Sequence, residues 1–520
     1  MRKWMRVALL VATSLPGTIW AQDVTAIDPD AGLAPNTESL TAGDVKAVIA
    51  KAAGAVDDSA MVIAVSDRQG NVLAIFRKNN APLLSTGNFS QQVDTNELAA
   101  AVARTAAFFS NSQAPLSSRT VRFISGIHFP PGVMYTSNGA LYGIENTNRG
   151  CSFNATYIPG QEFPAAVSLD GSQPGLGIIT GKKDLTDSDP AAVNPGGVPL
   201  YKNGRMVGGV GVAGVSPAEA EYAAFIGSNS AGFLPLPPPD PGAVFINGIA
   251  LPFVDQTTQP DGTQPVAGGA NLDDTALAVL GQFIVGPLDS PSPAPEGDLV
   301  APMDGVLGGL TAGEVRGIID QSVALANETR ANIRLPLGTR AKFVIAVADL
   351  DGRIIGLHRM KDATVFSIDV SVAKARNVIY FSGPDRTSTD LPGVPQNRAV
   401  TNRTIGFGAQ PLYPPGIDFT EPGPFFPLYQ FDATHPCTQG AQPATPYQNG
   451  IVFFPGSLPL YRNGALVGGL GVSGDGVDQD DLVTNAGAAA LQAPARIRAD
   501  RVMDEGVRLP YLKFPRNPTD

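Results

Sequence analysis

The chain repeats itself. LTAGDVKAVI from Leu40 returns as LTAGEVRGII from Leu310, and VIAVSDRQGNVLAIFR from Val62 returns as VIAVADLDGRIIGLHR from Val344. FPPG at Phe129 is echoed by YPPG at Tyr413, and PLYKNGRMVGGVGVAG from Pro199 by PLYRNGALVGGLGVSG from Pro459. The tails agree too, NGIALPF ending at Phe253 and EGVRLPY at Tyr511. Five blocks in one order mean a single folding unit used twice. The offset between copies drifts from 270 to 284 and back to 258 residues, which places insertions between blocks, where loops tolerate them. The first copy covers about residues 37–255 and the second about 307–515. Residues 256–306 contain Gln259-Pro260-Asp261-Gly262 and a proline-rich run from Pro287 to Pro295. They read as a mostly irregular linker with a short helix over 276–285.

Within each copy the signals alternate between helix and hairpin. Thr41 and Thr311 stand three residues before Asp44 and Glu314, the spacing of a capping box. Val45, Val48, Ile49 and Ala52 then recur at helical spacing, as do Val315, Ile318, Ile319 and Val323. Two β-rich runs follow, joined at Asp67-Arg68-Gln69-Gly70 in one copy and at Asp351-Gly352 in the other, a hairpin signal. Helices are expected over 96–109 and 366–381, then long Pro/Gly-rich excursions. Asn203-Gly204 and Asn463-Gly464 turn the chain into a glycine-rich strand, and closing helices are expected over 217–226 and 478–490. Hairpins rather than crossovers predict an α/β chain of the α+β type: two tandem domains, each a central antiparallel sheet packed with helices, related by a pseudo-twofold.

Residues 1–21 read as a secretory signal: Arg2, Lys3 and Arg6, an apolar stretch from Val7 to about Leu15, and a cleavage point after Ala21. That stretch is too short to span a membrane, and no later segment is long and apolar enough to do so. The expected location is the periplasm or the cell exterior. The formal net charge is −11, which argues against nucleic acid, since phosphate binding needs a basic footprint. Two Cys and three His exclude a four-Cys zinc site and leave little for a His-rich metal centre. Cys151 and Cys437 fall at near-equivalent positions of the two copies. Equivalent loops meet near a twofold axis, so the expected outcome in an oxidising compartment is a Cys151–Cys437 disulfide, with two free buried thiols as the rival.

GVGVAG (209–214) and GLGVSG (469–474) both fit a dinucleotide fingerprint. The context is wrong for one, because the preceding strand belongs to an Asn-Gly hairpin and no parallel βαβ unit follows. Such glycines instead admit a close neighbour, either a helix or a flat ligand. His358 closes the second hairpin, where the first copy has Phe76. A neutral imidazole is a common ligand of metals and haem iron. Asp478, Asp480 and Asp481 suit a helix N-terminus. Asp184, Asp187 and Asp189 read as a solvated loop. No hydrolytic motif is present.

These blocks resemble the GlcG/HbpS-like family of haem-binding domains. The family's hairpin, Lys-Ala helix, Gly-Gly-x-Gly-Val-Ser-Gly strand and closing-helix Asp correspond in the second copy to Val347, Asp349, Gly352, Arg359, Met360, Lys374, Ala375, Gly468, Gly469, Gly471, Val472, Ser473, Gly474 and Asp480. The first copy keeps Asp67, Gly70 and Arg77 but has Val102, Ala213 and Ala220 where Lys374, Ser473 and Asp480 stand, which makes it the more structural copy. The resemblance implies an antiparallel α+β domain, assembly into a homo-oligomer, and binding of haem or another small planar ligand, with degradation or sensing in some members. The expected cofactor site is His358, Arg359, Lys374, Gly469, Gly471 and Ser473 beside the glycine-rich strand. The chemistry of imidazole makes His358 the candidate metal ligand, and Arg359 or Lys374 could meet a propionate. A small-molecule enzyme using the same pocket and a non-catalytic oligomerisation module are the alternatives.

Overall fold

A computed structural model describes residues 34–149, 151, 169, 176–187, 189, 191–233, 244–269, 271–291, 293–417, 421–443 and 445–519. The expected leader lies outside them. Both capping boxes form: Thr41 starts the Ala42–Ala55 helix with Asp44, and Thr311 starts the Ala312–Ala326 helix with Glu314. In repeat one the hairpin strands are Val62–Asp67 and Val72–Lys78, followed by the Thr95–Phe109 helix, the strands Gly197–Lys202 and Arg205–Ala213, and the Pro217–Ser230 helix. Repeat two gives Phe343–Ala348, Ile354–Arg359, the Phe366–Ser382 helix, Ser457–Arg462, Ala465–Gly474 and the Val477–Gly487 helix.

Each repeat is a three-layer unit. Its first and closing helices pack together on one sheet face, and the middle helix covers the other. The leading hairpin strands are buried along their whole length because both faces are covered. Within both five-stranded sheets the strands pair antiparallel, and the two registers correspond: Val62 lies between Arg77 and Ala213, as Val344 lies between Arg359 and Ser473.

The segment between the repeats departs from the irregular linker that its prolines suggest. A helix runs from Asp274 to Leu280, and the strand Gly281–Val285 then adds to the outer hairpin strand of repeat one. The strand Gly297–Val300 adds to the outer hairpin strand of repeat two. Each sheet thus has five strands, and the joining segment supplies one to each. An edge strand pairs through backbone groups, so its side chains need carry little pattern.

The repeats are tightly joined. Cys151 and Cys437 form a disulfide with Cα atoms 5.4 Å apart, linking near-equivalent positions as a twofold would. A buried cluster lies close by. Lys182 donates to Glu145 at 2.7 Å and to the Tyr429 hydroxyl at 2.9 Å, and Tyr429 in turn donates to Glu145. Elsewhere the contacts join non-equivalent positions. Arg68 of the first hairpin turn pairs with Asp362 at 2.9 Å, and Phe109 stacks on Phe366 at 4.1 Å. The Leu350 turn of repeat two corresponds to Arg68, but Asn80, the counterpart of Asp362, bonds Ser59 instead. The junction therefore joins near-equivalent positions at the disulfide and non-equivalent ones at the hairpin.

Candidate functional site

The structure brings five of the six expected cofactor residues together and separates the sixth. Neighbouring strand residues face opposite sides of a sheet. Ser473 and Arg359 both pair with Val344, so they share a face with Gly469 and Gly471. His358 pairs with Ile345 and lies on the other face. Its Nδ1 is 2.8 Å from Asp298, which also binds Arg316 of the Ala312–Ala326 helix. Burial opposes ionisation of Asp298, but these two partners outweigh it and hold the carboxyl below its usual range. In repeat one the same place holds an aromatic pair, Phe76 edge-on to Phe283 at 5.2 Å.

The glycine-rich strand does not leave an open slot. A Cβ on Gly471 would lie 2.6 Å from the Ala375 backbone nitrogen and strike the Ser371 carbonyl, and one on Gly469 would strike the Ala375 carbonyl. Gly211 and Gly209 meet the Ala99 and Ala103 carbonyls in the same way. In both copies the glycines seat the middle helix on the sheet. A glycine reports close approach but not the identity of what approaches.

The polar groups of this face are already engaged. Lys374 is buried and donates to the Val472 carbonyl and to Asp480, both at 2.8 Å. Burial pushes Asp480 up to about 7 against the pull of Lys374, and it lowers the Lys374 pKa against the pull of Asp480. Arg359 is fully buried, donating to the Ala363 carbonyl at 3.0 Å and the Pro295 carbonyl at 2.8 Å. Burial pulls its pKa down to about 9. Ser473 bonds Ser367 at 3.1 Å. Lys374, Gly469, Gly471 and Ser473, expected to line a ligand slot, here pack or bond the Phe366–Ser382 helix against the sheet, and Arg359 ties the loop before that helix to the joining segment.

An accessible cavity of about 490 Å³ lies where the two repeats meet. Its walls include Phe129 of the FPPG block, Pro415 of the YPPG block, Phe407, Phe453 and Phe454, and both repeat tails contribute, through Ile249 and Pro510. The first Pro of each block is cis. Thr120 and Thr404, at equivalent helix starts, donate to the Pro252 and Pro510 carbonyls and so pin the tails. Arg403, Lys513 and Asp478 also line the cavity. Asp478 accepts from Arg403 at 2.6 Å and from Lys513 at 2.8 Å. Burial of Arg403 is outweighed by Asp481 and Asp478, which raise its pKa. Lys513, with a side chain 67% exposed against 14% for Arg403, is the more exposed of these two cations. Lys374 sits behind this wall, its ammonium 4.9 Å from the Phe454 ring.

The cleft suits a flat ring bearing a carboxylate. Its aromatic side chains offer ring faces and Lys513 a cation at the rim. It does not suit coordination of haem iron, because its lining holds no His, Cys or Met and its one phenol, Tyr142, is buried and raised well above its usual pKa by that burial. The sequence blocks marked Phe129 and Tyr413 as repeated, but the aromatic partners lie in excursions whose pairing no local pattern announces.

Fold and cleft define a class: two fused, three-layer α+β domains with a binding cleft at their junction. The family described as haem degrading protein HbpS-like matches residues 40–227 and 318–489, and the chain belongs to that family. Curated proteins give no match. Two solved structures are each 20% identical with a TM-score of 0.23: one titled as a PduOC–haem complex, covering 36% of this chain and 96% of its own, and Klebsiella pneumoniae protein ORFY, covering 35% and 88%. Among the described residues no helix is long and apolar enough to cross a membrane, and no group of three or more His, Cys, Asp or Glu is placed to hold a metal ion.

Proposed function

We propose that this is an exported haem-handling protein that takes the tetrapyrrole as a flat, carboxylate-bearing ligand in the cleft between its repeats. The observation that carries this reading is the match of a haem-associated family to both repeats, whose junction builds the aromatic cleft. Phe407 and Phe454 would flank the ring and Lys513 would meet a propionate. A disulfide between distant loops favours a periplasmic or secreted location, because such bonds persist in oxidising compartments. The test is titration of the mature protein with haemin and with iron-free protoporphyrin IX, read by Soret absorbance and porphyrin fluorescence. Both should bind one-to-one, and Phe407→Ala and Lys513→Glu should weaken both about tenfold, the loss of roughly 1.4 kcal/mol. No saturable change with either ligand overturns the reading.

A second reading rests on His358. Its Nδ1 contact with Asp298 is the arrangement that orients metal-binding imidazoles. If His358 ligates iron, His358→Ala changes the haemin spectrum and leaves protoporphyrin binding intact.

A further inference from the structure

The hairpin turn of repeat two borders a groove whose counterpart in repeat one is filled. The two turns are braced alike: Arg104 Nε donates to the Gly70 carbonyl at 2.7 Å, and Arg376 Nε to the Gly352 carbonyl at 2.8 Å. Beside the first turn, Arg68 pairs with Asp362 of repeat two, Phe108 accepts from the Val365 N–H at 3.1 Å, and Met206 is fully buried. Leu350, Tyr380 and Leu466 stand at those places in repeat two. There the surface is open, as a groove of about 500 Å³ well away from the cleft between the repeats. That volume belongs to small-ligand sites.

The apolar wall of the groove is Leu307, Leu350, Ile379 and Leu466. Two glutamines of one turn also line it, the Gln442 N–H donating to the Gln439 carbonyl at 3.2 Å. Gln439 is 3% exposed, and its neighbours fix which way its amide points. Asn377 Oδ1 accepts the Val452 N–H at 2.9 Å, so the Asn377 end that meets Gln439 is its nitrogen. Gln439 must therefore turn its oxygen to Asn377, at 2.8 Å. The Gln439 amide nitrogen is left with no partner among the described residues, and so is the buried Oε1 of Gln442. A donor and an acceptor thus stand unmade on one wall, at a free-energy cost that a ligand supplying both bonds removes.

The rim is acidic. Asp385 is exposed and pairs with no cation among the described residues, and Asp351 has Arg353 only at 3.9 Å. Arg376, the cation in the wall, spends Nε on Gly352 and Nη1 on Asn449.

We propose that this groove binds the amino-terminal end of a short peptide whose first side chain is apolar. That side chain lies on Leu350, Ile379 and Leu466, and the free ammonium meets Asp351 and Asp385. In an extended chain the carbonyl of the first residue and the N–H of the third share one edge. The carbonyl accepts from the Gln439 nitrogen, and that N–H donates to the Gln442 oxygen. Each unsatisfied feature of the groove thereby finds its complement in one ligand. A carboxylate-bearing ligand such as the one assigned to the cleft is repelled here, so the two sites take different chemistry.

Isothermal titration calorimetry of the full, disulfide-intact protein with the tripeptide Leu-Gly-Gly and with its N-acetylated form tests this. The free peptide should bind one-to-one in the millimolar range or tighter, and at least about tenfold more tightly than the acetylated one. Asp351→Asn with Asp385→Asn, two exposed positions, should erase that difference. Gln442→Leu should weaken the free peptide about tenfold without lowering the thermal melt. Phe407→Ala, in the cleft, should leave peptide binding unchanged, so this proposal and the porphyrin reading fail separately. No saturable heat with the free peptide, equal affinity for both peptides, or loss of binding in Phe407→Ala overturns the proposal.

Discussion

Gly471→Ala separates a helix seat from a ligand slot. The added methyl would meet the Ser371 carbonyl, the Ala375 nitrogen at 2.6 Å and the Lys374 Cβ at 3.0 Å. Two of these are backbone atoms of a helix whose every residue is buried, so no rotamer change relieves the clash. The helix must lift by about 1 Å, at the upper end of the usual overpacking cost, about 3 kcal/mol. Gly317→Ala is the control. It sits within the Ala312–Ala326 helix with nothing within 4 Å of an added Cβ, and should gain about 0.5–1 kcal/mol from helix propensity. Guanidinium unfolding followed by circular dichroism should move the two midpoints in opposite directions. A Gly471→Ala protein as stable as the parent but impaired in porphyrin binding would refute the seat and restore the slot.

Three further outcomes follow from the packing. Lys374→Val alone should cost about 3–5 kcal/mol by stranding Asp480, whereas Lys374→Val with Asp480→Ala should fall near neutral, since repeat one already uses Val102 and Ala220 at those places; equal losses in the single and double variants would contradict this. Replacing Cys151 and Cys437 together by Ser releases a closure of 286 residues, worth about 6 kcal/mol in the chain-entropy picture; a loss under about 1 kcal/mol in denaturant unfolding would show the staple to be only local. Burial raises Asp369 and Asp432 to about 6 and Asp480 to about 7, so the folded chain holds protons that the unfolded chain, with carboxyls near 4, has released. Folding stability should then fall as pH rises through about 4 to 7, and a melting midpoint no higher at pH 5 than at pH 7.5 would count against it.

Much of the scaffold was legible because the duplication shows each signal twice. Thr41 with Asp44 and Thr311 with Glu314 mark the first helices, and the Asn-Gly turns mark the second hairpins. The paired Cys were found by position alone. The fifth strands escaped notice because an edge pairs through its backbone: the helix expected over 276–285 stops at Leu280, and Gly281–Val285, its expected second half, is a strand. One feature of the site was already legible. His358 and Arg359 are neighbours on a strand, so strand alternation already puts them on opposite faces. The cleft was not legible, because it is assembled from two excursions and two tails far apart in the chain.

A flat ligand held between the repeats is what the proposed function requires. A crystal structure of the mature protein with haemin bound tests it most directly. The ring should lie between Phe407 and Phe454, with a propionate on Lys513 and no side chain of the cleft on the iron. A macrocycle found on the opposite sheet face, with its iron on His358, would contradict it.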